Sequence, residues 1–157
     1  MVYMEENYKE LVFRGPTKGD LSAMPTSVRL EIGQALWLAQ TGKKGAKTKP
    51  LTGPKEFRGA KVLEIVSDDG PNTYRGVYTI EFEEAVYLLA AFQKKSKRGI
   101  ATPQQDIDKI VDRIKRLHRD RDTPEGNAVI AVLLQRKAAR RTEIDRQKEL
   151  KNDPKRK

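Results

Sequence analysis

The chain has 157 residues, no cysteine and one histidine, with 32 Lys plus Arg against 22 Asp plus Glu, a formal net charge of +10. Without cysteine there is no disulfide framework and no thiolate chemistry; a multi-histidine metal site is excluded, and no apolar run approaches the roughly 18–20 residues that span a bilayer. Residues 1–92 carry 12 basic and 12 acidic side chains and residues 93–157 carry 20 and 10, so the whole excess lies in the last part of the chain and points to a polyanionic partner.

Met1 to Glu10 is acidic and lacks an apolar segment, so it does not read as a secretory signal and a cytoplasmic protein is expected; residues 1–9 read as a loose leader. Leu11 to Phe13, closed by Gly15 and Pro16, predicts a first strand near 10–14, and Lys18 to Met24 a short helix. Thr26 is placed to cap a helix over 26–41. Val28, Ile32, Ala35, Leu36 and Ala39 form its buried stripe, and Leu30, Trp37 and Leu38 widen it. Gly42 is the stop. Residues 42–60, rich in Gly, Pro and Lys, read as a long, mobile basic loop.

Three antiparallel strands follow, over 61–67, 73–82 and 85–93, with turns at 68–72 and at Glu83 and Glu84. The third is apolar on both faces, as a central, covered strand should be. A basic run, Lys94 to Arg98, leads to Thr102, Pro103 and Gln105, which have the form of a capping box. The helix after it presents Ile107, Ile110, Val111, Ile114 and Leu117 on one face and a basic complement on the other. Thr123 and Pro124 start a last helix. Its apolar block, Val129 to Leu134, packs on the domain or docks on another chain, and a disordered tail is expected after about 150.

The fold class is therefore α+β: a small antiparallel sheet, from an N-terminal strand and a three-strand meander, packed with N-terminal helices and a helix after the last strand. Residues 1–121 form the domain, with its core over about 10–120, and 122–157 a basic helical extension.

Lys49-Pro50-Leu51-Thr52-Gly53, Val62 to Ile65, Thr73 to Thr79 and Ala91 to Lys97, in that order, resemble the phage-derived, HigB-type branch of the RelE/ParE toxin superfamily. Met24 and Pro25 before the Val28 helix fit as well. The resemblance implies a RelE-like fold and the toxin of a bacterial or phage type II toxin–antitoxin system. It implies a ribosome-dependent, metal-independent mRNA endoribonuclease that inhibits translation and growth, with no cofactor. It further implies a cognate helix-turn-helix (HigA-like) antitoxin, contact with ribosome and mRNA, DNA contact only through the antitoxin, and no membrane partner. The alternative is a non-catalytic ParE-like gyrase poison or a phage host-takeover binding protein on the same fold.

Cleavage by the ribose 2′-OH needs a base for its proton, cations on the charged phosphorane and an acid for the 5′ oxygen. By the resemblance, Arg75 contacts the scissile phosphate, which a guanidinium binds bidentately; otherwise it pairs across the sheet with Glu64 or Glu81. Lys94, Lys95 and Lys97 either hold the phosphate and supply the acid, or form a solvated basic turn. Glu64 and Tyr78 are candidate base or orienting groups. Alternation puts Tyr78 and Tyr74 on the face opposite Arg75. Lys49, Arg58, Lys61 and Arg98 are candidate RNA-backbone contacts, and His118 reads as a surface residue. Where relatives carry a Tyr or His after the last strand, this chain has Ser96 and Thr102-Pro103-Gln104.

Overall fold

The structure is a computed structural model and describes residues 8–57, 61–94 and 102–153. In chain order the elements are β1 (Glu10–Phe13), α1 (Thr17–Ser22), α2 (Thr26–Gln40), β2 (Thr48–Pro50), a single 3-10 turn (Lys55–Phe57), β3 (Val62–Asp69), β4 (Asn72–Thr79), β5 (Ala85–Lys94), α3 (Gln104–Arg121) and α4 (Pro124–Lys151). The α+β fold is as expected, around one five-stranded sheet of order β1-β5-β4-β3-β2. β3, β4 and β5 form the antiparallel meander, whereas β1 runs parallel to β5, with Glu10 opposite Ala85. β2 is a fifth strand and pairs antiparallel with β3.

Helices cover both faces. Val28, Ile32, Leu36 and Ala39 of α2 pack on Leu63, Ile65, Tyr78, Val86 and Leu88. Ile107, Ile110, Ile114 and Leu117 of α3 pack on Val62, Val77, Tyr87 and Leu89. This explains why β5 is apolar throughout: it lies inside the sheet, between two helical layers. Leu30, by contrast, does not widen the α2 stripe and is 69% exposed, since it points away from the sheet.

Register positions the site. Val77 pairs with Ala90 and Tyr78 with Leu88, so Leu89 is an extra residue, a β-bulge. Beyond the bulge the alternation of β5 is reversed. Phe92 then shares a face with Arg75, and Lys94 with Thr73. The turn from β3 to β4 is two residues long, with Gly70 at φ 59°, as a type II′ turn requires.

Other local expectations are corrected. Thr26 is the first helical residue after Pro25 and makes no cap; its Oγ1 accepts a bond from Arg29 at 3.0 Å. Residues 42–57, the described part of the segment read as one long mobile loop, contain β2 and the 3-10 turn. Thr102 caps nothing: α3 starts at Gln104 with no side-chain cap, and the Thr102 hydroxyl is used elsewhere. The second Thr-Pro start does work, since Thr123 Oγ1 accepts from the Gly126 N–H at 3.0 Å.

α4 lies against the β1 edge. Arg136 and Arg140 reach Glu10 at 3.4 and 2.8 Å, and Leu133 joins the α3-side core. Of its apolar block, Val129 and Val132 stay exposed. The residues beyond 153, where the disordered tail was expected, lie outside the described residues. The end of α3 is fastened by Arg121, whose Nε and Nη2 donate to buried Glu84 at 2.7 and 3.0 Å, while the Tyr87 hydroxyl donates to the same carboxylate at 2.7 Å. His118 is half-buried, its ring 5.3 Å from that of Phe82 and its Nε2 3.5 Å from Glu81.

Candidate functional site

Three strands aim polar side chains into the α3 face of the sheet. Glu64, in the middle of β3, is 1% exposed, and Arg75, on β4, is 3% exposed. A carboxylate buried this deeply persists only when paired and hydrogen-bonded. Arg75 Nη1 donates to Glu64 Oε1 and the Thr102 hydroxyl donates to Oε2, so both carboxylate oxygens are engaged. Of the two sequence-level alternatives for an ion pair, Arg75 takes Glu64 and not Glu81.

Lys94 ends β5 on the same face and is 9% exposed. Burial pulls its ammonium below the ordinary lysine range. The Arg75 and Lys49 cations add to this, and the Glu64 charge opposes it. Lys49 lies opposite Glu64 on β2 and is exposed. It lines an open cleft of about 440 Å³ between the 50–54 segment and the start of α3, with Glu64, Thr102, Gln104 and Ile107 on the other walls. The arrangement is thus a neutralised buried pair with two further cations near it, Lys49 on the cleft and Lys94 beside it, so the local potential is positive.

The structure brings together Glu64, Arg75, Lys94 and Lys49. It does not bring in Tyr78, which is 1% exposed on the α2 side; burial pushes its phenol up to about 12. Tyr74 is on that side too. Lys61 is exposed and precedes β3 at the far end from Lys94; its charge is felt at Lys9 beside the β4–β5 connection. Arg58, Lys95, Lys97 and Arg98 lie outside the described residues. Among the described residues, no group of three His, Cys, Asp or Glu could hold a metal ion, and no helix is long and apolar enough to cross a membrane.

Two features were not anticipated from sequence. Thr102 serves Glu64 instead of a helix end, and the bulge at Leu89 aims Lys94. A signal for the bulge was present in the unbroken apolar run of β5, which hides a change of phase.

A family model described as phage derived protein Gp49-like (DUF891) matches residues 19–115. The chain belongs to this Gp49-like family. The family is RelE-like and associated with toxin–antitoxin systems, and membership suggests an antitoxin as partner. No curated protein and no solved structure matches the chain. Glu64, Arg75, Lys94 and Thr102 all fall inside the Gp49-like match, whereas β1 and α4 fall outside it.

Proposed function

We propose that this Gp49-like protein is a HigB-type toxin of a type II toxin–antitoxin pair, and that it cleaves messenger RNA on the ribosome without a metal. Its partner in this reading is a helix-turn-helix, HigA-like antitoxin. The observation that carries the reading is the electrostatic juxtaposition of Arg75, Lys94 and Lys49 around Glu64, beside the cleft that Lys49 and Glu64 line.

In this reading a scissile phosphate sits at the rim, against Lys94 and Lys49, with the Arg75 charge behind it. The 2′-OH attacks phosphorus and gives its proton to solvent water, the P–O5′ bond breaks to leave a 2′,3′-cyclic phosphate, and a proton passes to the departing 5′ oxygen. Lys94 is suited to donate that proton, because a lysine with a lowered pKa releases it more readily. Glu64 is a poor base here, since Arg75 and Thr102 already occupy its oxygens. Thr102 and Glu64 act instead by holding Arg75 in place.

One observation favours the second reading, a non-catalytic binding protein on the same fold, gyrase poison or host-takeover factor. Arg75 is almost fully buried and committed to Glu64. The test is controlled expression with mapping of transcript 5′ ends, comparing wild type with Lys94→Gln. Growth arrest with new transcript ends, both lost in the variant, supports the nuclease. Arrest with uncut transcripts moves the protein to the second reading, where an SOS response marks a gyrase poison. Undisturbed growth refutes the toxin reading itself.

A further inference from the structure

We infer that the cleft beside Lys49 is a nucleobase pocket, in which the 50–54 segment and the start of α3 read one base of the bound RNA. This rests on the RNA-cleaving reading and adds to it a determinant of sequence preference.

Four observations carry the inference. The first is shape: about 440 Å³ falls within the range of small-ligand clefts, roughly 300–1,000 Å³. The second is chemistry. Pro50, Leu51 and Pro54 on one side and Ile107 on the other give apolar walls, while Thr52 and Gln104 bring hydrogen-bonding groups. A flat, apolar-faced ligand with polar edges fits such a lining, and unstacked bases are recognised by this combination of contacts. Gln104 lends its amide nitrogen to Asp108 at 2.9 Å, so the side chain is oriented, and its amide oxygen takes no part in that bond.

The third is electrostatic. The Glu64 carboxylate that lines the cleft is already paired with Arg75 and Thr102 and offers a phosphate no donor, whereas Lys49 on the lining and the nearby Lys94 attract one. A nucleotide therefore enters with its base inward and its phosphate at the rim. The fourth is rigidity. The Leu51 N–H donates to the Val62 carbonyl at 2.9 Å, and a Cβ on Gly53 would collide with the ring of Phe57, which is itself buried. The wall is held in shape before any ligand arrives, which reduces the entropy lost on binding.

The experiment maps cut sites in cells expressing full-length wild type, Gln104→Ala or Thr52→Phe. Gln104 and Thr52 are both exposed, so neither change threatens the core. The first removes a base-edge contact and the second fills the cleft. Wild type is expected to favour one base at a fixed offset from the cut, by roughly tenfold, the discrimination of one good base-edge contact. Both variants should cut with that preference flattened. If either variant keeps the wild-type preference, or stops cutting at every site, the pocket is refuted while the nuclease stands. If wild type cuts nothing, the nuclease reading has failed, and the pocket falls with it.

Discussion

Replacing Arg75 with Ala should damage folding before it reveals anything about chemistry. Glu64 is 1% exposed and its strongest partner is Arg75. Removing the guanidinium takes away the ion-pair partner of a buried carboxylate and leaves the Thr102 hydroxyl donating to it, with Lys94 and Lys49 as more distant charges; breaking a buried ion pair costs about 3–5 kcal/mol. Against a total stability of about 5–15 kcal/mol that is a large share. For a chain of this size it lowers Tm by roughly 6–20 °C. The companion variant, Arg75→Met with Glu64→Leu, replaces both charges by apolar groups of similar bulk and should recover to within about 1 kcal/mol of wild type. Urea unfolding followed by Trp37 fluorescence measures both. If Arg75→Ala costs less than about 1 kcal/mol, or if the double variant is as unstable as the single one, the buried-pair argument is wrong. The double variant then separates roles that the single one confounds. A stable double variant that no longer arrests growth gives the pair a functional part, and one that still arrests growth makes it purely structural.

Lys94→Met should be more stable than wild type at pH 7, because wild type carries the cost of a charged ammonium in a crowded, cationic corner. With its folded pKa lowered, the unfolded chain binds more protons between that value and 10.5, so wild-type stability rises with pH and the advantage of the variant shrinks. Equal differences in urea midpoint at pH 7 and pH 10 would contradict this. Arg121→Ala should weaken the β4–β5 connection by about 1–3 kcal/mol, since the ion pair is only partly exposed. Burial opposes ionisation of Glu84, but bonds from Arg121 and Tyr87 outweigh it and hold the carboxyl below its ordinary value. Its stabilisation is present above the unfolded value of 4.5 and is lost as pH falls through the lowered one. Without Arg121 the acid unfolding midpoint should move to higher pH, and an unmoved midpoint counts against the network.

Much of the fold was legible because burial leaves a period in the sequence. The α2 stripe from Val28 to Ala39 and the α3 stripe from Ile107 to Leu117 are the residues that meet the sheet. The three meander strands lie within a few residues of where their alternation put them. What was hidden depended on partners distant in sequence. Nothing local says that β1 runs parallel to β5, or that the Lys- and Pro-rich 42–60 segment supplies an edge strand to β3. Thr102 looked like a helix cap because local chemistry favours that use; a buried carboxylate 38 positions earlier competes for the same hydroxyl. Arg75 and Glu64 could be named as a pair because they share one antiparallel ladder. Lys94 was readable only as basic, since its direction is set by one extra residue, Leu89, in a strand whose apolar run conceals the phase change.

The place of β1 also governs the order of assembly. The chain's first strand finds its neighbour only in the last, and the contacts that secure this end span long stretches of sequence: 73 positions from Lys9 to Phe82 and 126 from Glu10 to Arg136. Closing such loops is slow compared with forming a helix or a hairpin. During synthesis, at about 5–20 residues per second, α1 and α2 are made many residues before the strand that completes their layer. The meander is the natural nucleus, because β3 and β4 meet across a two-residue turn. β1 then docks after β5, and α4 seals that edge last. A translation product ending before Ala85 has no neighbour for its own first strand, and one ending before α4 leaves that strand's outer edge open. In both cases a sheet edge that the full chain covers is left open to pair with another chain.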